Sequence, residues 1–325
     1  VRSIIVMTLG LEAVGAILLY RGLGTAVPET GPRVFTAVFH AVSAFCNAGF
    51  STFGDSLVGV AGNPLVMGTV SALLVVGGLG FGVVVQLVAW LRGRAMRPSG
   101  PRERLGLHAR VVLVVSVGLL VIGTSLLLAF EWNGALAGEG PGMKLAQAFF
   151  QSATCRTAGF NSLDLNALAP ASLFLMIVLM FIGGAPGSTA GGVKVTVVAI
   201  VWANLRSISR GLNRVRLGGR ELDQVHVQRS MLVLSSMLVV AAVAVMVLLA
   251  TEGGAFMPTV FETFSALGTV GLSLGMTPAL TPVGRIVITL LMFIGRLGPL
   301  TLASSLTGAG REPRVRLPRG RILIG

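Results

Sequence analysis

Phe149-Phe-Gln-Ser-Ala-Thr-Cys-Arg-Thr-Ala-Gly-Phe-Asn161 is a short segment that ends in a small, glycine-centred turn. Two other stretches align with it without a gap, Phe39-His-Ala-Val-Ser-Ala-Phe-Cys-Asn-Ala-Gly-Phe-Ser51 and Phe261-Glu-Thr-Phe-Ser-Ala-Leu-Gly-Thr-Val-Gly-Leu-Ser273. Their glycines, Gly49, Gly159 and Gly271, stand 110 and 112 residues apart. A near-constant period of that length marks related modules rather than chance similarity.

Each module has the same parts. A long apolar stretch leads in: Ile4–Tyr20, Val111–Phe130 and Met231–Ala250. A Gly/Pro/acidic loop follows, then the glycine segment, which is too short to cross ~30 Å of hydrocarbon. A second long apolar stretch returns: Leu65–Leu91, Ala171–Leu205 and Val283–Leu306. Six stretches of spanning length place the chain in a membrane. Composition agrees, because 11% of the 325 residues are charged, where a soluble domain carries about 25%.

The net charge of +13 would point to nucleic acid on a soluble protein. Its position argues otherwise. Arginines crowd the 92–110 loop, the 206–229 loop and the 311–321 tail, after every second apolar stretch. That is the positive-inside pattern of cytoplasmic loops, with contact to anionic lipid as its by-product. Glu29, Asp55, Glu131, Glu139, Asp164 and Glu252 fall on the opposite side. The three histidines show no metal-ligand spacing. Cys46 and Cys155 read as small packed residues. No set of His, Cys and acidic residues converges as an enzyme would require, so no catalytic residue and no cofactor is assigned.

Irregular backbone at membrane depth persists only where it is buried in protein or lines a water-filled path. Three equivalent turns therefore imply one shared centre. Carbonyl oxygens arrayed there can replace the hydration shell of a cation. Carbonyl ligands without fixed carboxylates suit potassium better than calcium or magnesium, and helix C-termini aimed at the centre favour a cation further. The predicted filter is Asn47, Ala48, Gly49 and Phe50; Thr157, Ala158, Gly159 and Phe160; and Thr269, Val270, Gly271 and Leu272.

Two further elements stand out. Gly183 to Gly192 holds Gly183, Gly184, Pro186, Gly187, Gly191 and Gly192. That density should break the helix into a flexible loop below the filter, with Lys194 at its end. Arg296 lies inside an apolar run, where a charge is costly and usually faces a cavity or a partner. Arg156, beside the second filter segment, is expected to point behind the filter and tie the scaffold.

Thr157-Ala-Gly-Phe160, preceded by Thr154-Cys-Arg156, resembles the third pore loop of the Trk/Ktr/HKT superfamily of potassium transporters. Asn47-Ala-Gly-Phe50 resembles the second and Thr269-Val-Gly-Leu272 the fourth. Gly183–Lys194 is similar to the broken inner helix of the third repeat, and Gly295-Arg-Leu-Gly298 to the inner helix of the fourth, which implies an intramembrane gating loop at Gly183–Lys194 and a gate or barrier at Arg296. The tail Arg321-Ile-Leu-Ile-Gly325 is most like KtrB-type membrane subunits. The resemblance implies an all-α polytopic membrane protein, with repeated helix–pore-loop–helix modules around a pseudo-fourfold ion pore. The expected division is 1–92 as a second-type repeat, 93–206 as a third-type repeat with the broken inner helix, and 207–325 as a fourth-type repeat with the basic tail. The first repeat is absent from this chain. The implied function is potassium uptake across the cell's plasma membrane, with K+ as substrate ion and a sodium-selective or sodium-coupled carrier as the alternative. A homodimer with one pore per protomer and a cytosolic nucleotide-binding RCK-type regulatory subunit are implied partners. The chain has no dinucleotide fingerprint, so that regulator would be a separate polypeptide.

Overall fold

The computed structural model describes residues 2–96, 105–212 and 214–298. Arg97, Arg102, Arg104 and the arginine-rich tail, including Arg321–Gly325, lie outside the described residues. The described chain is helical, apart from a two-residue hairpin, β1 (Arg216–Leu217) and β2 (Arg220–Glu221).

Among the described residues three helices are long and apolar enough to cross a membrane: α1 (Arg2–Gly22), α5 (Leu107–Glu131) and α9 (Gln224–Glu252). They expose large apolar side chains, among them Leu9, Val14, Ile17, Val117, Val121, Val239 and Met246. A soluble monomer rarely exposes apolar surface on this scale. On a helix bathed in hydrocarbon it carries no penalty, so this is a membrane protein.

Each long helix is followed by a short one: α2 (Thr30–Phe45), α6 (Pro141–Thr154) and α10 (Phe256–Gly268). These carry the aligned segments and stop at the glycine turns. They pack inward, and Phe45, Phe150 and Phe261 are among the largest fully buried side chains. Then come the returning helices, α3 (Pro64–Leu79) with α4 (Phe81–Met96), α7 (Pro170–Phe181) with α8 (Val195–Ser209), and α11 (Pro282–Leu297). Each opens with proline at the first position, where the missing N–H costs nothing. Asn63 and Thr281 cap two of them with side-chain oxygens.

One expectation needs correction. Leu65–Leu91 is not a continuous span: the chain bends by 107° between Leu79 and Phe81. Gly80 sits at the break with φ +84°, a conformation that ends a helix and that a Cβ would make costly. Gly298, with φ +80°, follows α11, and the rest of the Val283–Leu306 stretch lies outside the described residues. The second returning stretch breaks as its glycine content predicts, between Phe181 and Val195. The first two returning stretches therefore each have a first helix that ends part-way, 16 and 12 residues long.

Candidate functional site

The three glycine turns meet. A side chain placed at Gly49 would run into the Ala158 carbonyl and come within 2.9 Å of the Gly159 Cα; one at Gly159 would run into the Val270 carbonyl. Gly49 and Gly159 thus lie against the carbonyl of the following module's strand, and no larger residue fits there. Gly271 meets only the Gly159 Cα, at 4.0 Å. Among the described residues the ring of contacts runs from the first strand to the third and stays open between the third and the first.

The strands share one backbone pattern. Asn47, Thr157 and Thr269 have φ of 52°, 72° and 53°, and Gly49, Gly159 and Gly271 have φ of 72°, 85° and 96°. The residues between them are not left-handed. Alternation of this kind makes successive N–H groups converge on one side of the chain, which leaves the carbonyls on the other. A left-handed, β-branched threonine is strained, by about 1–3 kcal/mol, and persists only where the surroundings over-determine it.

The short helices supply that constraint. The Ala48 and Val270 N–H groups donate to Ser43 O and Ser265 O at 2.8 Å, and the Ala158 N–H to Thr154 O at 2.9 Å. Helix hydroxyls hold the far ends: Ser43 Oγ donates to Phe50 O at 2.8 Å and Thr154 Oγ1 to Phe160 O at 2.6 Å. Ser265 Oγ instead accepts from the Gly271 N–H at 3.2 Å. Sequence reasoning passed over these hydroxyls; Ser/Thr in the turn before each glycine motif was the available signal.

The Gly183–Gly192 segment lies directly beneath. Thr189 Oγ1 reaches Asn47 Oδ1 at 3.1 Å, Gly77 O at 3.1 Å and Phe45 O at 3.3 Å. Gly191 abuts the Thr269 side chain so closely that a methyl group there would overlap it. The segment was expected to be flexible, yet many backbone bonds stitch it in place. The Ala185 N–H donates to Gly78 O, the Gly183 N–H to Val193 O and the Phe81 N–H to Gly187 O, at 3.0, 2.9 and 3.3 Å. Gly184 packs on the Gly78 carbonyl, and the Pro186 carbonyl leans on Gly80. The first module's broken helix thus forms one wall of the loop, which the sequence reading missed.

The charged candidates divide. The Arg296 Nη1 donates to the Thr189 carbonyl, joining α11 to the loop. Lys194 Nζ donates to Ala190 O at 2.6 Å and Gly191 O at 3.4 Å. Arg156 is buried behind the strands and donates to Ser116 O, Ser116 Oγ and Gly183 O at 3.3, 3.1 and 3.5 Å. It bonds backbone and hydroxyl groups and pairs with no acid in these contacts. The residues of the expected filter differ in burial: Thr157, Ala158 and Phe160 are fully buried, whereas Phe50 is 70% exposed.

A second internal repeat explains how these parts line up. Thirteen residues after Pro64, Pro170 and Pro282 come Gly77, Gly183 and Gly295. Gly77 packs on the Phe45 carbonyl and Gly295 on the Leu267 carbonyl, equivalent positions of two short helices. The residues that follow are Gly78, Gly184 and Arg296, so the arginine occupies a slot that is glycine in the other two modules.

Comparison with known proteins agrees with this architecture. The Potassium/sodium uptake protein NtpJ of Enterococcus hirae is 38% identical over 324 residues, covering 97% of this chain and 69% of that protein. The Ktr system potassium uptake protein B of Vibrio alginolyticus is 36% identical, covering 100% of this chain and 70% of that protein. The crystal structure of the potassium transporter TrkH from Vibrio parahaemolyticus superposes with a TM-score of 0.74 at 23% identity, over 94% of this chain and 64% of that one. That likeness speaks to the fold alone. The chain thus spans somewhat over two thirds of those two relatives. The TrkH family model, described as cation transport protein, matches residues 1–307, and with helix-braced glycine turns meeting above a stitched intramembrane loop, this chain belongs to that family.

Proposed function

We infer that the protein is the pore-forming membrane subunit of a potassium uptake system. The observation that carries this is the meeting of the three glycine turns, each glycine set against its neighbour's carbonyl or Cα. Oxygens held at such spacing can replace water around a cation whose charge is single and whose shell is loosely held. The potassium uptake proteins among its relatives support the same ion.

In this reading residues 1–92, 93–206 and 207–325 are three helix–pore-loop–helix modules around one axis. A fourth strand closes the ring between Gly271 and Gly49. Potassium enters from outside and loses water at the filter of Asn47–Phe50, Thr157–Phe160 and Thr269–Leu272. It then meets Gly183–Gly192, Lys194 and Arg296. The arginine-rich loops face the cytoplasm at the cell's plasma membrane. A homodimer and a separate RCK-type regulatory subunit are the assembly we propose, as part of the same reading. The name of the Enterococcus relative, potassium/sodium uptake protein, favours a second reading, in which sodium is carried or coupled.

Flux into liposomes under potassium, rubidium and sodium gradients tests both. Potassium and rubidium uptake well above sodium supports the filter reading. Sodium-dominant flux, or potassium flux that requires a sodium gradient, supports the second.

A further inference from the structure

The second residue of the aligned segments is His40 in the first module, Phe150 in the second and Glu262 in the third. His40 and Glu262 are buried polar groups with no part in the ion path described above; they are 1% and 5% exposed. Both reach the same place, the serine two residues beyond the filter glycine. His40 Nε2 hydrogen-bonds Ser51 Oγ at 2.9 Å. Glu262 Oε2 accepts from Ser273 Oγ at 2.7 Å, and its Oε1 accepts from Thr277 Oγ1. The His40 Nδ1 donates to Thr36 O at 2.8 Å, which fixes the ring, and Phe53 and Phe160 lie against it with centroids 5.2 and 6.2 Å away. Phe150 has no such chemistry. There the exit strand is held by the first module instead, through Asn161 N–H to Ser56 Oγ at 3.2 Å and Leu57 N–H to Asn161 O at 3.1 Å.

We propose that His40 and Glu262 are filter-positioning residues that brace the strand leaving the filter and so set potassium-over-sodium discrimination. The proposal rests on the filter reading above. A strained strand keeps its shape only if both ends are tied. The entry end is tied in every module by N–H bonds to the short helix. In the first module the exit end has two ties to α2, Ser43 to Phe50 O and His40 to Ser51, and Ser51 Oγ also donates to Ser56 O and accepts from the Phe53 N–H. In the third module the Ser265 hydroxyl bonds the Gly271 N–H, and Glu262 carries the exit end with Ser273 and Thr277. Its removal should therefore matter more than that of His40. A slackened strand lets carbonyls follow the smaller ion inward, and the number and spacing of ligating oxygens is what separates the two cations.

The test is uptake of K+ and Na+ by the whole protein in liposomes, normalised to folded protein. Glu262→Met should lower the K+ to Na+ uptake ratio about tenfold, equivalent to about 1.4 kcal/mol of discrimination. His40→Leu should lower it less, and Glu262→Gln, which keeps one acceptor oxygen at the same reach, should restore part of it. A merely structural role would scale all fluxes with the amount of folded protein and leave the ratio unchanged, which overturns the proposal. Should Glu262→Met not fold, the double variant Ser273→Ala/Thr277→Val removes the same bonds from the other end. An unchanged ratio there is equally fatal. A parent protein that does not discriminate overturns the filter reading itself, a result distinct from a selective parent with indifferent variants.

Discussion

Arg296→Ala should raise basal potassium flux. The side chain joins α11 to the loop through its bond to the Thr189 carbonyl. Thr189 in turn touches the first filter strand at Asn47. A charge-assisted hydrogen bond contributes about 1.5–3 kcal/mol when buried. Arg296 is exposed, so water screens it and about 1–1.5 kcal/mol is the fitting figure. That shifts a closed-to-open equilibrium about five- to thirteen-fold. On the proposed ion path, loss of its fixed positive charge acts in the same direction. Arg296→Gln separates the two effects, since it keeps a donor but no charge. If the bond dominates, glutamine behaves like the parent; if the charge dominates, it behaves like alanine. The assay is rubidium uptake into liposomes at matched protein, with potassium competition. Flux of Arg296→Ala equal to that of the parent, with folding intact, refutes the reasoning.

Three further outcomes are expected. Gly159→Ala places a methyl group against the Val270 carbonyl at a residue with φ +85°; the left-handed backbone alone adds about 1–2 kcal/mol, and selective rubidium uptake should fall by more than about tenfold. Thr189→Val removes a hydroxyl shared among Asn47, Gly77 and Phe45; one lost bond of about 1 kcal/mol should raise basal flux about fivefold, and Thr189→Ser should reverse it. Glu131 is buried and accepts from Ala169 N–H, Ala135 N–H and Ser172 Oγ at the start of α7. Glu131→Ala should lower the melting temperature of the purified protein, at a cost of about 1–3 kcal/mol, while leaving the potassium-to-sodium uptake ratio alone.

Local chemistry made the class of protein, the three modules and the break at Gly183–Gly192 legible in the chain itself. Apolar stretches of spanning length, arginine placed on alternate loops and a glycine motif repeated at 110 and 112 residues need no neighbours to be read. The same holds for Arg296, because a charge inside an apolar run is anomalous in one dimension. Gly80 was not legible. Leu65–Leu91 reads as one apolar helix, and the 107° bend follows from the Pro186 carbonyl and the Phe81–Gly187 bond, contacts from more than a hundred residues away. The stiffness of the loop has the same origin, since its partners Gly77, Gly78 and Asn47 belong to another module. Tertiary structure alone decided which hydroxyl holds which filter carbonyl, and that His40 and Glu262 perform equivalent tasks with unlike chemistry. Periodicity reports how often a residue recurs; a hydrogen bond depends on which groups the fold brings within about 3 Å, and that is settled only when the modules close on one another.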